Sequence, residues 1–103
     1  MNATASRGVG LLGLTAIALA VPGAAYTGQQ LAGKGKITIE QARAIALKAD
    51  PGRIIDEELE LERGGSGLRY SFDVKNGAIT HEVGVDARTG RVLENKAEGP
   101  NPD

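Results

Sequence analysis

Residues with the chemistry to bind or react are concentrated in the run DEELELE at 56–62, which holds five carboxylates in seven positions. Successive side chains of a β-strand point to opposite faces, so most of these carboxylates would share one face if the run is a strand. Such a face can receive a basic protein segment or a hard cation such as calcium. It can equally be a solvated face whose charges keep the strand from pairing with other chains. No loop with the ligand spacing of a calcium site accompanies the run.

Residues for nucleophilic or metal-assisted catalysis are scarce. The chain has no cysteine and a single histidine, His81, whereas a nucleophile needs a neighbouring base and zinc needs several nitrogen or sulfur ligands. Ser66 lies in a glycine-rich turn and Ser71 points outward from a predicted strand, so neither is expected beside His81. The glycine clusters lack the spacing of dinucleotide or phosphate loops. We therefore expect no enzyme, no catalytic residue, no metal ligand and no cofactor, and interpret His81 as a side chain at the core edge.

The first 25 residues have the pattern of a Sec-type signal peptide. One cation, Arg7, precedes an apolar run over 8–21, and small residues follow up to Ala25. Signal peptidase accepts small residues just before the cut, so cleavage after Ala25 is predicted. An uncleaved membrane anchor is the alternative, which the glycines and the proline disfavour because a spanning helix needs about 20 apolar residues. The prediction is a periplasmic or secreted protein with no stable membrane insertion after cleavage.

Charge and cysteine content restrict the partners and the sources of stability. The chain has 12 basic and 13 acidic side chains, a formal net charge of −1, and loss of Arg7 with the leader makes it −2. A nucleic-acid-binding domain needs a basic stripe, so no nucleic-acid partner is expected. Without cysteine there is neither a disulfide nor a lipid-modified cysteine, so packing and turns alone must hold the domain together.

One amphipathic helix is predicted after a polar, glycine-rich stretch at 26–36, which we interpret as a flexible linker. Thr38 is a good N-cap residue, and Gln41 three positions later completes a capping box. Pro51 ends the helix shortly after its last apolar residue. The apolar stripe at helical spacing consists of Ala42, Ile45, Ala46 and Ala49.

Four strands are predicted after Gly52, because the rest of the sequence alternates with a period of two. GGSG at 64–67 separates the first two strands, and Asn76-Gly77 signals a two-residue hairpin turn. The predicted strands lie at 54–63, 68–75, 78–86 and 91–95. The fold class is therefore α+β, with one N-terminal amphipathic helix packed on a four-stranded antiparallel meander sheet.

The two turn lengths fix a register that separates apolar from acidic side chains. The predicted apolar neighbours are Val74 with Ile79, Phe72 with His81, Leu59 with Phe72, and Leu61 with Tyr70. On the outward face, Glu62 is expected to meet Arg69 and Asp56 to meet Lys75, whereas Glu58 meets Asp73. The candidate partner-binding acidic face consists of Glu58, Glu60, Asp73 and Glu82, with no cation among them.

The stretch VGVDARTGRVL at 83–93 predicts a tight turn before the last strand. Asp86 and Thr89 can bond local backbone groups, and Gly90 supplies a left-handed conformation, so we assign these three residues a structural role. Whether Val92 or Leu93 faces inward depends on a bulge that the pattern leaves open. The tail at 96–103 is expected to be disordered.

Two stretches, ITIEQARAIALKADPGRI and LRYSFDVKNGAITHEVGVDARTGRVL, together resemble the PepSY domain. They share its alanine-striped helix, its hairpin and its closing Asp-x-x-Thr-Gly-x-Val turn, and we place a PepSY-like domain at 37–95. The family occurs in propeptides of secreted metallopeptidases and in free-standing exported domains, so the resemblance implies binding or restraint of peptidases. The matching residues encode fold, so it assigns no functional residue.

The sequence therefore favours a non-catalytic periplasmic binding module that modulates or inhibits a peptidase. The expected partner is a protein, and the candidate partner is an exported peptidase. The alternatives are a cation-responsive accessory or sensor domain that acts through the acidic face, and a structural spacer. Strand addition at RVLEN or at RIIDEELELER is the expected binding mode.

Overall fold

A helix lies on one face of a four-stranded antiparallel sheet in the computed structural model, which describes residues 25–99. The strands are ordered β1-β2-β3-β4, each paired with its neighbour in sequence, so the predicted α+β meander is confirmed. The elements are a 3-10 helix at Gln29–Lys34, α1 at Ile39–Ala49, β1 at Arg53–Leu61, β2 at Leu68–Asn76, β3 at Ile79–Asp86 and β4 at Val92–Ala97. Within residues 25–99, no helix has the length and hydropathy needed to cross a bilayer. The predicted signal peptide lies outside the described residues except for Ala25.

Helix α1 begins at the predicted capping box. The Gln41 N–H donates to Thr38 Oγ1 at 3.1 Å, and the Thr38 N–H donates to Gln41 Oε1 at 2.9 Å, which satisfies two donors that the helix start leaves free. The helix ends at Ala49, just before Asp50 and Pro51, as expected. Its buried residues are Ile39, Ala42 and Ala46, whereas Ile45 is half-buried and Ala49 is exposed.

The core lies between α1 and the inner face of the sheet. Small alanine side chains let the helix lie close to the strands, where Tyr70 and Phe72 stack with ring centroids 6.4 Å apart. The Tyr70 hydroxyl donates to the Ile37 carbonyl at 3.1 Å, so the buried phenol has a partner beside the helix start. The buried sheet residues of the core are Leu59, Leu68, Tyr70, Phe72, Val74, Val83 and Val85.

The predicted pairings between strands are wrong by two residues, although the predicted faces are right. The hairpin loop is Gly77–Ala78, so that Asn76 pairs with Ile79. The loop between β1 and β2 spans 62–67, two residues more than GGSG alone, and brings Leu61 opposite Leu68. A shift of two residues returns every side chain to its original face, because the strand period is two. The observed neighbours are Val74 with His81, Phe72 with Val83, and Leu59 with Tyr70.

Two irregularities bend the edge strands. A register shift between Ile54 and Asp56 leaves Ile55 as an extra residue in β1. A second shift places Val92 opposite Val85 and leaves Leu93 as the extra residue of β4. The bulge thus gives Val92 the position paired across the sheet, but Val92 is exposed and Leu93 is half-buried, so neither residue joins the buried core.

The segment at 26–36 is ordered against the domain, so its prediction as a flexible linker is wrong. It contains the 3-10 helix, and the Leu59 N–H donates to the Thr27 carbonyl at 2.8 Å. Tyr26 and Leu31 pack against the core, which the polar and glycine-rich composition of the segment conceals.

The predicted disordered tail is also wrong over its first residues. β4 continues to Ala97, and the Glu98 N–H donates to the Thr80 carbonyl at 2.8 Å. Residues 100–103 lie outside the described residues.

A buried arginine crosses the outer face of the sheet at one end. Arg69 Nη1 lies 3.2 Å from Glu62 Oε2 and 3.4 Å from Glu94 Oε1, and Nη2 donates to the Arg63 carbonyl at 2.9 Å. The contact with Glu62 matches the predicted pair. The side chain runs over Gly84, where a Cβ would lie 2.9 Å from Arg69 Cδ. A Cβ at 84 would therefore force the Arg69 side chain to shift from this path between the two carboxylates.

Gly84→Ala should destabilise the domain by about 1–3 kcal/mol, because the added methyl group displaces the Arg69 side chain. The matched control is Gly33→Ala, where no atom lies within 4 Å of the added carbon. That change should leave stability unchanged or raise it by up to about 1 kcal/mol. Urea unfolding followed by circular dichroism measures both, and equal midpoints for the two variants would contradict the packing role of Gly84.

Candidate functional site

The outer face of the sheet carries a cavity of about 330 Å³ lined almost entirely by carboxylates. We call it the acidic cavity; its lining residues are Asp56, Glu58, Glu60, Glu62, Ser71, Asp73, Glu82 and Glu98. All four residues of the predicted acidic face are among them, so the structure brings these four together. Sequence reasoning missed Glu98, because its segment was assigned to a disordered tail instead of to the backbone that follows β4.

The observed register makes the cavity more acidic than expected. Asp56 lies opposite Asp73, and Asp73 lies opposite Glu82, so three carboxylates form a row across three strands. The predicted pairings of Asp56 with Lys75 and of Glu58 with Asp73 are wrong. Glu58 instead lies opposite Ser71. The two-residue shift replaces Lys75 by Asp73 opposite Asp56, and Lys75 lies opposite Arg53 instead.

Two carboxylates of this row, Asp73 and Glu82, have pKa values raised above those of isolated carboxyl groups. Burial raises the pKa of Asp73, and the neighbouring charges of Glu98 and Asp56 and a hydrogen bond with Glu98 raise it further. Burial also raises the pKa of Glu82, with contributions from Glu94, Asp73 and Glu98 that outweigh the opposing effect of Lys96. Like charges and reduced solvation therefore disfavour the ionised cavity, and a positive group placed there would relieve both effects.

Neutralising groups lie at the rim of the acidic cavity. Arg69 bridges Glu62 and Glu94 at one end, and Lys96 Nζ lies 3.3 Å from Glu94 Oε2 on the last strand. Inside, the Ser71 hydroxyl donates to Glu60 Oε2 at 2.8 Å. In residues 25–99, no group of three or more His, Cys, Asp or Glu side chains has an arrangement that could hold a metal ion.

The second assigned set, Asp86, Thr89 and Gly90, lies in the turn between β3 and β4. The fully buried Asp86 carboxylate accepts hydrogen bonds from the N–H groups of Arg88 at 2.8 Å and Thr89 at 3.0 Å. Thr89 Oγ1 accepts from the Arg91 N–H at 3.2 Å, and Gly90 has a left-handed φ of 79°. These contacts make the turn a structural element.

Asp86 also binds a distant loop, which the sequence did not reveal. Its carboxylate accepts from the Ser66 N–H at 2.5 Å and from the Ser66 hydroxyl at 2.8 Å. Burial alone would raise the pKa of Asp86, but the N–H groups of Ser66, Arg88 and Thr89 outweigh it and hold the pKa well below its usual range. A serine within a glycine turn, together with an aspartate at the end of a later strand, is the sequence pattern that could have predicted this contact.

The residues considered for catalysis are kept apart by the fold. His81 lies in the inward register opposite Val74, half-buried, with Nδ1 at 3.0 Å from Asp50 Oδ2 at the end of α1. Ser66 is bound to Asp86, and Ser71 is bound to Glu60 on the opposite face of the sheet. The structure therefore brings neither serine to the histidine.

The geometry defines a class of protein, a small α+β domain with one helix on a meander sheet and an acidic outer face. A family model described as "Peptidase propeptide and YPEB domain", the PepSY model, matches residues 36–96 of the 103-residue chain. The match covers more than half of the chain, including α1 and almost all of the sheet, so the chain belongs to the PepSY family. Searches of curated proteins and of solved structures found no match to this chain.

Acidification should destabilise the domain through Asp86. Its native pKa lies below that of the unfolded chain, so its ionised form stabilises the native state above about pH 4, and this stabilisation is lost as the pH falls further. Asp86→Asn should cost about 2–3 kcal/mol at neutral pH, and the difference from the wild type should shrink toward about pH 3. Ser66→Ala, which removes one donor, should cost about 1 kcal/mol. Urea unfolding across this pH range measures the free energy of unfolding of each variant. A difference between the wild type and Asp86→Asn that does not change with pH would contradict the role assigned to the Asp86 carboxylate.

Asp73→Asn should stabilise the domain at neutral pH. The raised native pKa of Asp73 means that the folded state binds the proton more tightly than the unfolded chain, so stability rises as the pH falls toward the ordinary carboxyl range. The amide removes one of the like charges and should add about 0.5 kcal/mol at pH 7, with less gain near about pH 4. Glu40→Gln, on the exposed first turn of α1, is the control and should give no gain. Equal effects of the two variants on the thermal midpoint would argue against repulsion in the acidic cavity.

Proposed function

We propose that this chain is an exported, non-catalytic binding module that modulates a peptidase, and that a basic segment of its partner binds in the acidic cavity. Family membership supports the first part, since PepSY domains are associated with peptidase propeptides, are typically non-catalytic and are common in exported proteins. The observation that supports the second part is the row of Asp56, Asp73 and Glu82, whose like charges lie directly opposite each other on three strands.

The repulsion within the row favours a ligand with positive charge. Two of the carboxyl groups have raised pKa values, so the cavity is less stable with all its carboxylates ionised than with some of them protonated. An ammonium or guanidinium group in the cavity would offset the repulsion between the carboxylates. This reduction in repulsion would contribute to the free energy of binding. Binding energy is thus concentrated at the centre of the outer face, where seven of the eight described residues that line the cavity are acidic.

The spacing of the carboxylates along β1 suggests the shape of the ligand. Glu58 and Glu60 of β1, and Glu62 just after its end, line the acidic cavity at alternate positions. Alternate residues of a strand are about 6.5–7 Å apart. An extended segment with lysine or arginine at every second position has the same spacing, so we expect a basic, extended region of the partner rather than a single cation.

Reversing charges in the acidic cavity should abolish capture of such a segment. The probe is a synthetic peptide with lysine at alternate positions, titrated against Glu58→Lys, Glu60→Lys and the double variant by calorimetry. Each single reversal should weaken binding at least tenfold at low salt, and the double variant should show no binding. The control is Glu40→Lys, which changes the net charge equally on α1 and should bind like the wild type. Equal losses in the Glu40 and Glu58 variants would show that only net charge matters.

The peptidase part of the proposal needs its own assay. The chain is added to secreted metallopeptidases acting on a quenched fluorescent peptide, with the double variant Glu58→Lys/Glu60→Lys as the matched control. We expect wild-type chain to change the rate of at least one peptidase and the double variant to have a smaller effect. A chain that changes the rate of none of these peptidases and still binds the basic peptide is the contradicting result. It would overturn the peptidase role and leave the proposed binding site standing.

A cation-responsive accessory or sensor domain is the second candidate, because seven carboxylates line one cavity. Calcium accepts six to eight oxygen ligands, which a carboxylate cluster can provide after rearrangement. The described residues lack a preformed arrangement for a metal ion, which favours the basic segment. Calorimetric titration with calcium separates the two, since heat from calcium that Glu58→Lys/Glu60→Lys removes would favour the sensor.

A further inference from the structure

The two edges of the sheet differ in how open they are to another strand. At β1, the Thr27 carbonyl already accepts from the Leu59 N–H, and Thr27 forms a parallel bridge with Glu58. The Glu57 N–H is taken by Asp56 Oδ1 at 3.0 Å, and the extra residue Ile55 interrupts the strand. Bulges and occupied donors protect an edge from strand addition. The segment RIIDEELELER is therefore a poor site for the strand addition that the sequence suggested.

The β4 edge is open along its regular part. β4 pairs only with β3, and the Glu98 N–H points back to Thr80 of that strand. Backbone groups alternate between the two sides of an antiparallel strand. The N–H and carbonyl groups of Asn95 and Ala97 consequently point away from β3, and no described residue pairs with them.

The charges on β4 are complementary to a second copy of the same strand. Glu94 and Lys96 flank Asn95, and both lie on the outer face, since Lys96 is opposite Glu82 of the acidic cavity. If two β4 strands pair antiparallel about Asn95, each Glu94 lies opposite Lys96 of the other copy. Asn95 also has outward-pointing backbone groups, so the central pair can exchange two hydrogen bonds.

We propose that this chain forms a symmetric dimer by antiparallel pairing of β4 with β4 of a second copy, centred on Asn95. The contact is isologous and closed, because the same strand serves on both sides of a two-fold axis. The result is an eight-stranded sheet whose two acidic cavities lie on one continuous face. A partner with two basic segments would then bind both cavities, with a gain from effective concentration.

The side chains at the edge suit this arrangement. The Lys96 side chain is 68% exposed and contacts only the carboxylate of Glu94 among the described ion pairs, so it can reach a second copy. Val92 and Ala49 are exposed apolar residues beside the same edge, where Asn95 Nδ2 donates to the Ala49 carbonyl at 3.4 Å. One strand pair buries little area, so the dimer should be weak and concentration-dependent.

Charge exchange tests the pairing with the full chain. Sedimentation velocity is run on the wild type, on Lys96→Glu, on Glu94→Lys and on an equimolar mixture of these two variants. Each variant alone places like charges opposite each other twice and should dimerise at least tenfold more weakly than the wild type. In the mixture, both cross-strand pairs become complementary again, so a heterodimer should form with an affinity near that of the wild type.

A matched variant and a folding check serve as controls. Lys75→Glu makes the same change in net charge on β2, away from this edge, and should dimerise like the wild type. Association through the apolar leader at 8–21 would not respond to charges on β4. Circular dichroism checks that each variant folds. A wild type that stays monomeric up to about 1 mM, a dimer unaffected by Lys96→Glu, or a mixture that fails to associate would each overturn the proposal.

Discussion

The buried carboxylate of Asp86 fixes the arrangement on which the rest of the domain depends. It accepts four hydrogen bonds and joins Ser66 in the loop after β1 to the turn after β3. Gly65 lies so close that a Cβ there would collide with the carboxylate, and its φ of 53° is left-handed. Arg88 extends the junction, since it donates to the Ser66 carbonyl at 2.8 Å and to the Lys34 carbonyl at 3.0 Å. One turn thus connects three segments of a chain that has no cysteine.

Anchoring of this end also decides where the acidic side chains lie. The Asp86 contacts hold the loop at 62–67, and the length of that loop sets the pairing of β1 with β2. A change of one residue in this pairing would turn Leu59 outward and its acidic neighbours into the core. The acidic cavity is therefore a consequence of turn geometry, and the row of Asp56, Asp73 and Glu82 opposes the strand pairing that assembles it.

The faces of the strands could be predicted from sequence, whereas their pairing partners could not. Alternation in LRYSFDVK assigns Phe72 to the core and Asp73 to the outside under any even shift of the strand register. The predicted register is wrong by two residues, so the side chains of the acidic face stay on the predicted side of the sheet. The exact loop ends depend on non-local contacts such as that of Ser66 with Asp86. Likewise, Tyr26 and Leu31 are ordered by packing against core residues from other segments of the chain. The helix is the opposite case, because its capping box is local and was readable from Thr38 and Gln41 alone.

The contrast between the two electrostatic sites supports our proposal that the acidic cavity binds a positively charged group. At Asp86 the protein surrounds one carboxylate with donors, which lowers its pKa and stabilises the fold. At Asp73 and Glu82 it does the reverse, since carboxylates lie opposite carboxylates and their pKa values rise. Charges that only prevent aggregation need not be adjacent, because scattered lysines or glutamates protect an edge equally well. A small domain without disulfides has little stability to lose, so the row of like charges at its centre supports our proposal that a positively charged partner segment binds there.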